Sequence, residues 1–556
     1  MPQIQLSFHP KLLESLKHYK AADFWGDLSA GITVGFVALP LAMAFAIASG
    51  LKPEAGIYTA IVAGFCVSAF GGSKVQIGGP AGAFIVIVYG IVAKYGVDGL
   101  IISTILSGVL LFAMGVFKFG TLVRFVPVAI VTGFTNGIAV LILLSQVKDL
   151  LGLKIDNLPS DFFPKTASLI EHLPTVSVET TLLSFASAAV VFGWPVITKK
   201  TGLAILQRIP GSIVALALGT VAVTVFKLPV ETIGTRFGGI PGSLPHPVFP
   251  HIDLKTIHGL MQPTITIALL GAIESLLCAR VADGLIGDRH DPNQELMGQG
   301  IANIASPLFG GYTATGTIAR TVTNIRTGAR TPVAGIIHAL TLLIIVLVAA
   351  PLAKNVPLAT LGAILVFVAY NMGEWHEFLR LRHFSNNYRA ILLTTFVLTV
   401  VVDLTVAVEV GLVLSCFFFI TRISSLTRLE PVPEVEAVGA VKLGGDVEAY
   451  RLYGSLFFGA VHKLEELIDP GRPVPKVLIL SLTNLLNMDT SGLEALENVY
   501  ETLKKKGCRL LIAGANAQPL SLMQRSGFVR EFGEENMFEN TAKALDFVGE
   551  NLLRKS

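Results

Sequence analysis

Arg320 stands inside Phe309–Asn324, FGGYTATGTIARTVTN, in a part of the chain that is apolar for hundreds of residues. A guanidinium keeps its charge under all ordinary conditions. Placed in such a stretch it marks a functional site and asks for a negative partner. Glu274, in LLGAIESLLCARVADGL, is a second charge with apolar residues on both sides. It has three readings: an ion pair with Arg320, a proton carrier, or a sodium ligand. Cys278 lies one helical turn later, and a thiol is a poor ligand for hard sodium, which favours protons. Asp403 and Glu409 flank a break between two late apolar runs and read as structural or interfacial. A third motif, Asp489-Thr490-Ser491-Gly492, falls where a strand passes into a helix. There the small hydroxyl residues cap the helix, or Thr490 and Ser491 form a regulatory phosphate site. The four cysteines, at 66, 278, 416 and 508, have neither disulfide nor zinc spacing. No metal, no cofactor and no enzymatic activity are expected.

The elements that must carry these residues follow from composition. Of 556 residues, 52% are hydrophobic and only 15% charged, with mean hydropathy +0.67 and net charge +3. Soluble proteins carry about 25% charged residues. The chain therefore reads as a polytopic α-helical membrane protein in contact with the lipid bilayer, and nothing in its charge suggests nucleic acid. The first 24 residues lack a cleavable leader pattern and read as a cytoplasmic segment. Apolar runs fall near 28–49, 55–70, 79–93, 98–117, 125–147, 180–198 and 203–226, and again near 262–284, 297–309, 315–328, 332–353, 356–372, 389–402 and 404–421. They make fourteen segments, seven plus seven, in a transport domain over 25–428 with repeats of about 25–227 and 258–428. Basic residues at 118 and 124, at 199, 200 and 208, at 380, 382 and 389, and at 422 and 428 fall in alternate loops. The bias towards positive cytoplasmic loops puts them, both termini and the tail in the cytoplasm, with loop 148–179 outside, in a multi-pass protein of the inner (plasma) membrane.

Two echoes support a repeat. Phe70-Gly71-Gly72 recurs as Phe309-Gly310-Gly311, and Val126-Pro127-Val128-Ala129 as Val356-Pro357-Leu358-Ala359. Seven is odd, so the second copy must be inverted. The echo pairs the arginine stretch with FGGSKVQIGGPAGAF, Phe70–Phe84. A helix is expected to start at Pro80, because proline suits a first helical turn, and a second near Gly316 or Thr317. Unwound backbone at membrane depth survives only when enclosed by protein or lining a cavity. Two facing helix starts offer free amides and positive dipole ends to an anion, and Arg320 adds a permanent charge.

After about residue 440 the pattern becomes that of a small α/β domain. AYRLYGSLFF, KVLILSL and CRLLIAGA read as strands, and SGLEALENVYETLKKKG as an amphipathic helix.

At AGITVGFVALPLAMAFAIASGL, GGPAGAF, LGAIESLLCA, Leu296-Met297-Gly298-Gln299-Gly300 and GTIARTVTNIRTGARTPVAG the chain resembles the sulfate permease (SulP) family, relatives of solute carrier family 26. Its tail, 440–556, resembles the STAS domain, with NMDTSGLEAL at the signature position. The resemblance implies fourteen segments in two inverted repeats, split into core and gate domains, with an elevator motion and a homodimer. It places a small anion between the third and tenth segments, on Pro80, Ala81 and Gly82 and on Thr317, Ile318, Ala319 and Arg320. Glu274 takes the family's acidic position in the eighth segment, as the ion-coupling residue for a proton or sodium. Ser491 matches a position phosphorylated in some signalling STAS proteins, and the domain implies a cytoplasmic protein partner. The nearest branch looks like proton-linked dicarboxylate carriers of the succinate, fumarate or aspartate type. Other branches move sulfate or bicarbonate, with protons or sodium, and an uncoupled anion channel is a further alternative. Alanine at 81 and 319, where relatives often carry a hydroxyl, leaves more of the binding to backbone amides and Arg320.

Overall fold

The computed structural model describes residues 8–121, 126–155, 158–201, 209–243, 247, 254–433 and 446–551. Arg124, Arg208 and the expected tail boundary near 440 lie outside them. The chain divides into two compact units, Met1–Leu412 and Val413–Ser556.

The first unit is helical. After the short α1 (Lys11–Leu16) come α2 (Ala21–Ala48), α3 (Pro53–Phe70), the two-residue strand β1 (Gly78–Gly79) and α4 (Ile85–Val116), which breaks at Gly96 where φ is 71°. Then follow α5 (Val128–Leu151), the link helix α6 (Phe162–Glu171), α7 (Val178–Thr201), α8 (Gly211–Phe226) and the short α9 (Ile233–Phe237). The second half runs α10 (Leu254–Ile286), α11 (Pro292–Leu308), β2 (Thr315–Gly316), α12 (Ile318–Arg326), α13 (Val333–Ala349), α14 (Leu358–Met372), α15 (Asn386–Val401) and α16 (Leu404–Leu426), of which the part after Leu412 belongs to the second unit. Each of the fourteen apolar runs overlaps a helix among the described residues, but the third and fourth, 79–93 and 98–117, share α4 on either side of its break at Gly96. Eight helices among the described residues are long and apolar enough to cross a membrane by themselves. Large apolar side chains such as Phe226 and Val348, both more than 70% exposed, suit a lipid-facing surface and no aqueous one.

Local chemistry sets the helix starts. Pro53 and Pro292 open α3 and α11, and the Asp291 carboxylate accepts the amides of Asn293 and Gln294. The echoed prolines, Pro127 and Pro357, both stand in extended conformation just before α5 and α14. Asp403, expected to be structural, accepts the Val406 amide near the start of α16.

Packing sorts the helices into two groups. α11 lies on α3 and α4, α13 on α2 and α3, and α10 on α4. Separately, α5 packs on α14 and α15, and α7 on α8 and α14. The pairings recur with the halves exchanged: α2 with α13 answers α10 with α4, and α5 with α15 answers α14 with α7. An inverted repeat produces this pattern. Small residues allow the close approaches. A Cβ on Gly108 would lie 2.7 Å from the Gly300 carbonyl oxygen, and one on Gly300 2.6 Å from that of Gly108.

In the second unit, strands β3 (Arg428–Pro431), β4 (Val447–Leu456), β5 (Val477–Ser481), β6 (Leu485–Met488), β7 (Arg509–Ala513) and β8 (Met537–Phe538) form a sheet in the order β3-β4-β5-β7-β8, with β6 on β4. Only β3 pairs antiparallel. The central β5 is buried along its whole length, as a run of VLILS requires when both faces are covered. Leu478 and Leu480 pack on one face with Leu496, Val499 and Leu503 of α17 (Thr490–Lys505). Ile479 packs on the other with Ala544, Leu545 and Val548 of α18 (Thr541–Asn551).

Candidate functional site: two helix starts and a buried arginine

The echoed stretches meet. Gly78 pairs with Gly316 and Gly79 with Thr315, antiparallel, in a ladder of two residues per strand. Around it the Thr317 amide and hydroxyl both donate to the Ile77 carbonyl, at 2.9 and 3.0 Å. The Ile77 amide donates to the Thr321 hydroxyl at 3.0 Å, and the Asn324 side chain to the Val75 carbonyl at 2.9 Å. These bonds satisfy backbone that an apolar setting would otherwise penalise heavily.

A helix leaves each end of the ladder. The first does not start at Pro80. Pro80 stays outside, Ala81 is extended (φ −126°, ψ 150°), and a single 3-10 turn, Gly82–Phe84, leads into α4. The ladder explains the delay, because pairing at Gly79 holds the chain extended past the proline. The second helix starts at Ile318, with Thr317 extended before it. Among the described residues no side chain caps either start, and the first amides of a helix have no partner within it. Pro80, Ala81, Gly82 and Thr317 are buried, whereas Ile318 and Ala319 are exposed. A Cβ added at Gly82 would meet Ile142 of α5 at 3.5 Å, and Met372 of α14 and Phe45 of α2 at 3.6 Å, so this start abuts both helix groups.

Arg320 is 1% exposed, the largest fully buried side chain described. Its Nη2 donates to the Pro80 carbonyl at 3.4 Å, a long bond, and its Nη1 has no partner. Among the described residues it makes no ion pair, so the Glu274–Arg320 pair does not form. Glu274 is half-buried on α10 with neither hydrogen bond nor ion pair of its own among those residues. The guanidinium lies across Gly79: a Cβ there would sit 2.3 Å from Nη1, and Gly79 itself has φ 155°. Only glycine fits both constraints.

Sequence reasoning missed the support behind the ladder. Glu295, fully buried, accepts the amides of Gly72 and Ser73 at 2.8 and 3.1 Å. It also accepts Ser275 at 3.2 Å, and Ser275 accepts Gln76 at 2.8 Å. This chain ties the loop before β1 to α10 and α11. Its signal was present in Gln294-Glu295, just before the apolar run that begins at 297, a carboxylate at the edge of a run that the sequence reading did not use. His338 was missed too. It is fully buried in α13 against Gly64, which also abuts the Gly78 carbonyl. A lone histidine in an apolar run, AGIIHAL, was its signal.

In the second unit the cap differs from expectation. The Asp489 carboxylate, not a hydroxyl, accepts the Gly492 amide at 2.8 Å, and also the Phe458 amide at 3.3 Å. An ionised acceptor outcompetes a hydroxyl for an amide at a positive helix end. Thr490 is exposed and Ser491 half-buried, and neither hydroxyl has a hydrogen-bond partner among the described residues.

The sequence model of the sulfate permease family matches residues 24–395, which hold both helix starts, Glu274 and Arg320. The chain belongs to the sulfate permease family. The STAS domain model matches residues 440–544. A putative sulfate transporter of Bacillus subtilis, YvdB, is 42% identical over 94% of this chain and 98% of its own length. The bicarbonate transporter BicA of Picosynechococcus is 30% identical over 89% of each chain. The murine solute carrier 26 member A9 anion transporter, in its inward-facing state, superposes with TM-score 0.86 over 98% of this chain and 94% of its own. At 18% identity that likeness shows the fold alone. This member of the sulfate permease family is thus a helical anion transporter with a C-terminal STAS domain.

Proposed function

We propose that the protein is a secondary active transporter of a small oxyanion, sulfate first and bicarbonate second, with the anion held between the helix starts at 81–82 and 317–320. The observation that carries this is Arg320, buried with no carboxylate partner among the described residues and set where two uncapped helices begin. A buried, unpaired cation costs several kcal/mol, and a bound anion offsets that cost. Each helix end contributes about half a positive charge. With the guanidinium, the total is about two, the charge of sulfate. Bicarbonate leaves one in excess.

The dicarboxylate reading has less support. Two separated carboxylates want two cationic partners, and the site has one arginine. The similar relatives carry sulfate and bicarbonate names. Glu274 is proposed as the coupling group, taking a proton or sodium on the side of α10 facing the ladder. Cotransport then follows an elevator motion of the group containing α2–α4 and α10–α13 against the group containing α5, α7, α8, α14 and α15. The homodimer, the plasma membrane location with cytoplasmic STAS domain, and control or partner binding at Thr490 and Ser491 belong to the same proposal.

The test is uptake into proteoliposomes under an imposed pH or sodium gradient, against sulfate, bicarbonate, succinate and chloride. Gradient-driven sulfate or bicarbonate accumulation is expected. Succinate accumulation without sulfate competition would return the dicarboxylate reading, and currents beyond carrier rates would make it a channel.

A further inference from the structure

A cavity of about 220 Å³ opens beside the first helix start. Ile85 and Tyr89 of α4, the link between α2 and α3, Lys148 and Asp149 of α5, Lys165 of α6 and Arg236 of α9 line it. Ile85 lies one turn from Gly82, so the cavity begins within a turn of the proposed anion site.

Its charges are unevenly satisfied. Arg236 pairs with Asp149 at 2.9 Å and with Glu231 at 3.5 Å. The Lys148 ammonium donates to the Ile155 carbonyl. Lys165 is 5% exposed, yet its ammonium has no ion pair or hydrogen bond among the described residues. Its ammonium stands 5.5 Å from the centre of the Tyr89 ring, close enough for the ring face to attract it. Tyr89 is in turn fixed by donating to the Leu158 carbonyl. Burial holds the Lys165 amine below the ordinary lysine range, and the exposed Asp161 one turn earlier only partly opposes this. A buried ammonium aimed into a cavity with a net excess of cations is built to receive an anion.

We propose that this cavity is a docking site for the transported oxyanion on the face carrying the α5–α7 link, with Lys165 as its charged donor and the first turns of α4 as the way to Gly82. The proposal rests on the anion-transport reading, but it concerns a different set of residues. A lysine suits a waiting site, since a compact, mobile charge binds an oxyanion without the fixed fork of Arg320.

The test places a reporter thiol at Ser160, which lines the cavity, with the exposed Cys416 replaced by serine. Labelling by a membrane-impermeant thiosulfonate is followed with and without sulfate. Sulfate should slow labelling in the otherwise native protein and equally in Arg320→Ala, but not in Lys165→Met. Lys165→Arg should restore the protection. The protection should fade as pH rises, at lower pH than for an exposed lysine, because the amine loses its charge early. In transport, Lys165→Met should raise KM for sulfate by about three- to tenfold with little change in maximal rate. Equal protection in Lys165→Met, or none in the native background, overturns the docking site. Protection without any sulfate uptake supports the docking site and overturns the transport reading instead.

Discussion

The two stretches that meet at the ladder have one geometry and two chemistries. Each runs through extended backbone into an uncapped helix start. The first, Gly78–Phe84, is wholly uncharged and is built from glycine, proline, alanine and one phenylalanine. The second, Thr315–Arg320, carries the hydroxyl that fastens the crossing and the guanidinium that lies across it. The inverted repeat supplies two converging dipoles, and a single arginine in one copy supplies the charge. In the proposed account, symmetry builds the cradle and asymmetry selects what it holds.

The largest effect should come from removing that asymmetry. Arg320→Ala makes both copies neutral and should cut transport by about a hundredfold or more, as loss of a charged hydrogen-bonding partner does. Uptake assays check this. Glu274→Gln leaves the ladder's own residues unchanged but removes the proposed coupling group on α10, so gradient-driven accumulation should vanish while anion exchange persists. Normal accumulation would remove Glu274 from coupling. Gly79→Ala strikes the uncharged copy where it touches the charged one. The methyl group displaces the guanidinium and the positive φ is strained by about 1–3 kcal/mol. Sulfate affinity should fall about tenfold or more, together with a lower melting temperature. Ala81→Ser gives the uncharged copy a hydroxyl and should lower KM a few-fold, corresponding to about 0.5–1.5 kcal/mol for one hydrogen bond. Smallest for transport is Asp489→Ala in the second unit. It should cost about 1 kcal/mol of stability there, seen by thermal unfolding, with uptake kinetics unchanged.

Much of this was legible because breaks in an apolar run are conspicuous. Glycine pairs, Pro80 and Arg320 stood out against their background, and the echo joined them before any contact was known. The late start of the first helix was not legible. It depends on pairing between Gly79 and Thr315, more than two hundred residues apart, which overrides proline's preference for a first turn. The absence of a Glu274–Arg320 bond was equally hidden, since spacing along two helices does not reveal which way side chains point. Glu295 escaped because its partners are backbone amides of Gly72 and Ser73 in the other repeat. The strands of the tail were legible as short β-branched and leucine-rich runs. The Asp489 cap was misassigned to its hydroxyl neighbours because three capping residue types stand side by side.

The central claim is that Arg320 supplies the charge on which anion binding depends. Equilibrium binding of labelled sulfate to the purified native protein and to Arg320→Ala, at fixed ionic strength, tests it most directly. The account predicts saturable binding in the native protein and at least a hundredfold weaker binding in the variant. Native-like affinity in a folded Arg320→Ala protein would contradict it.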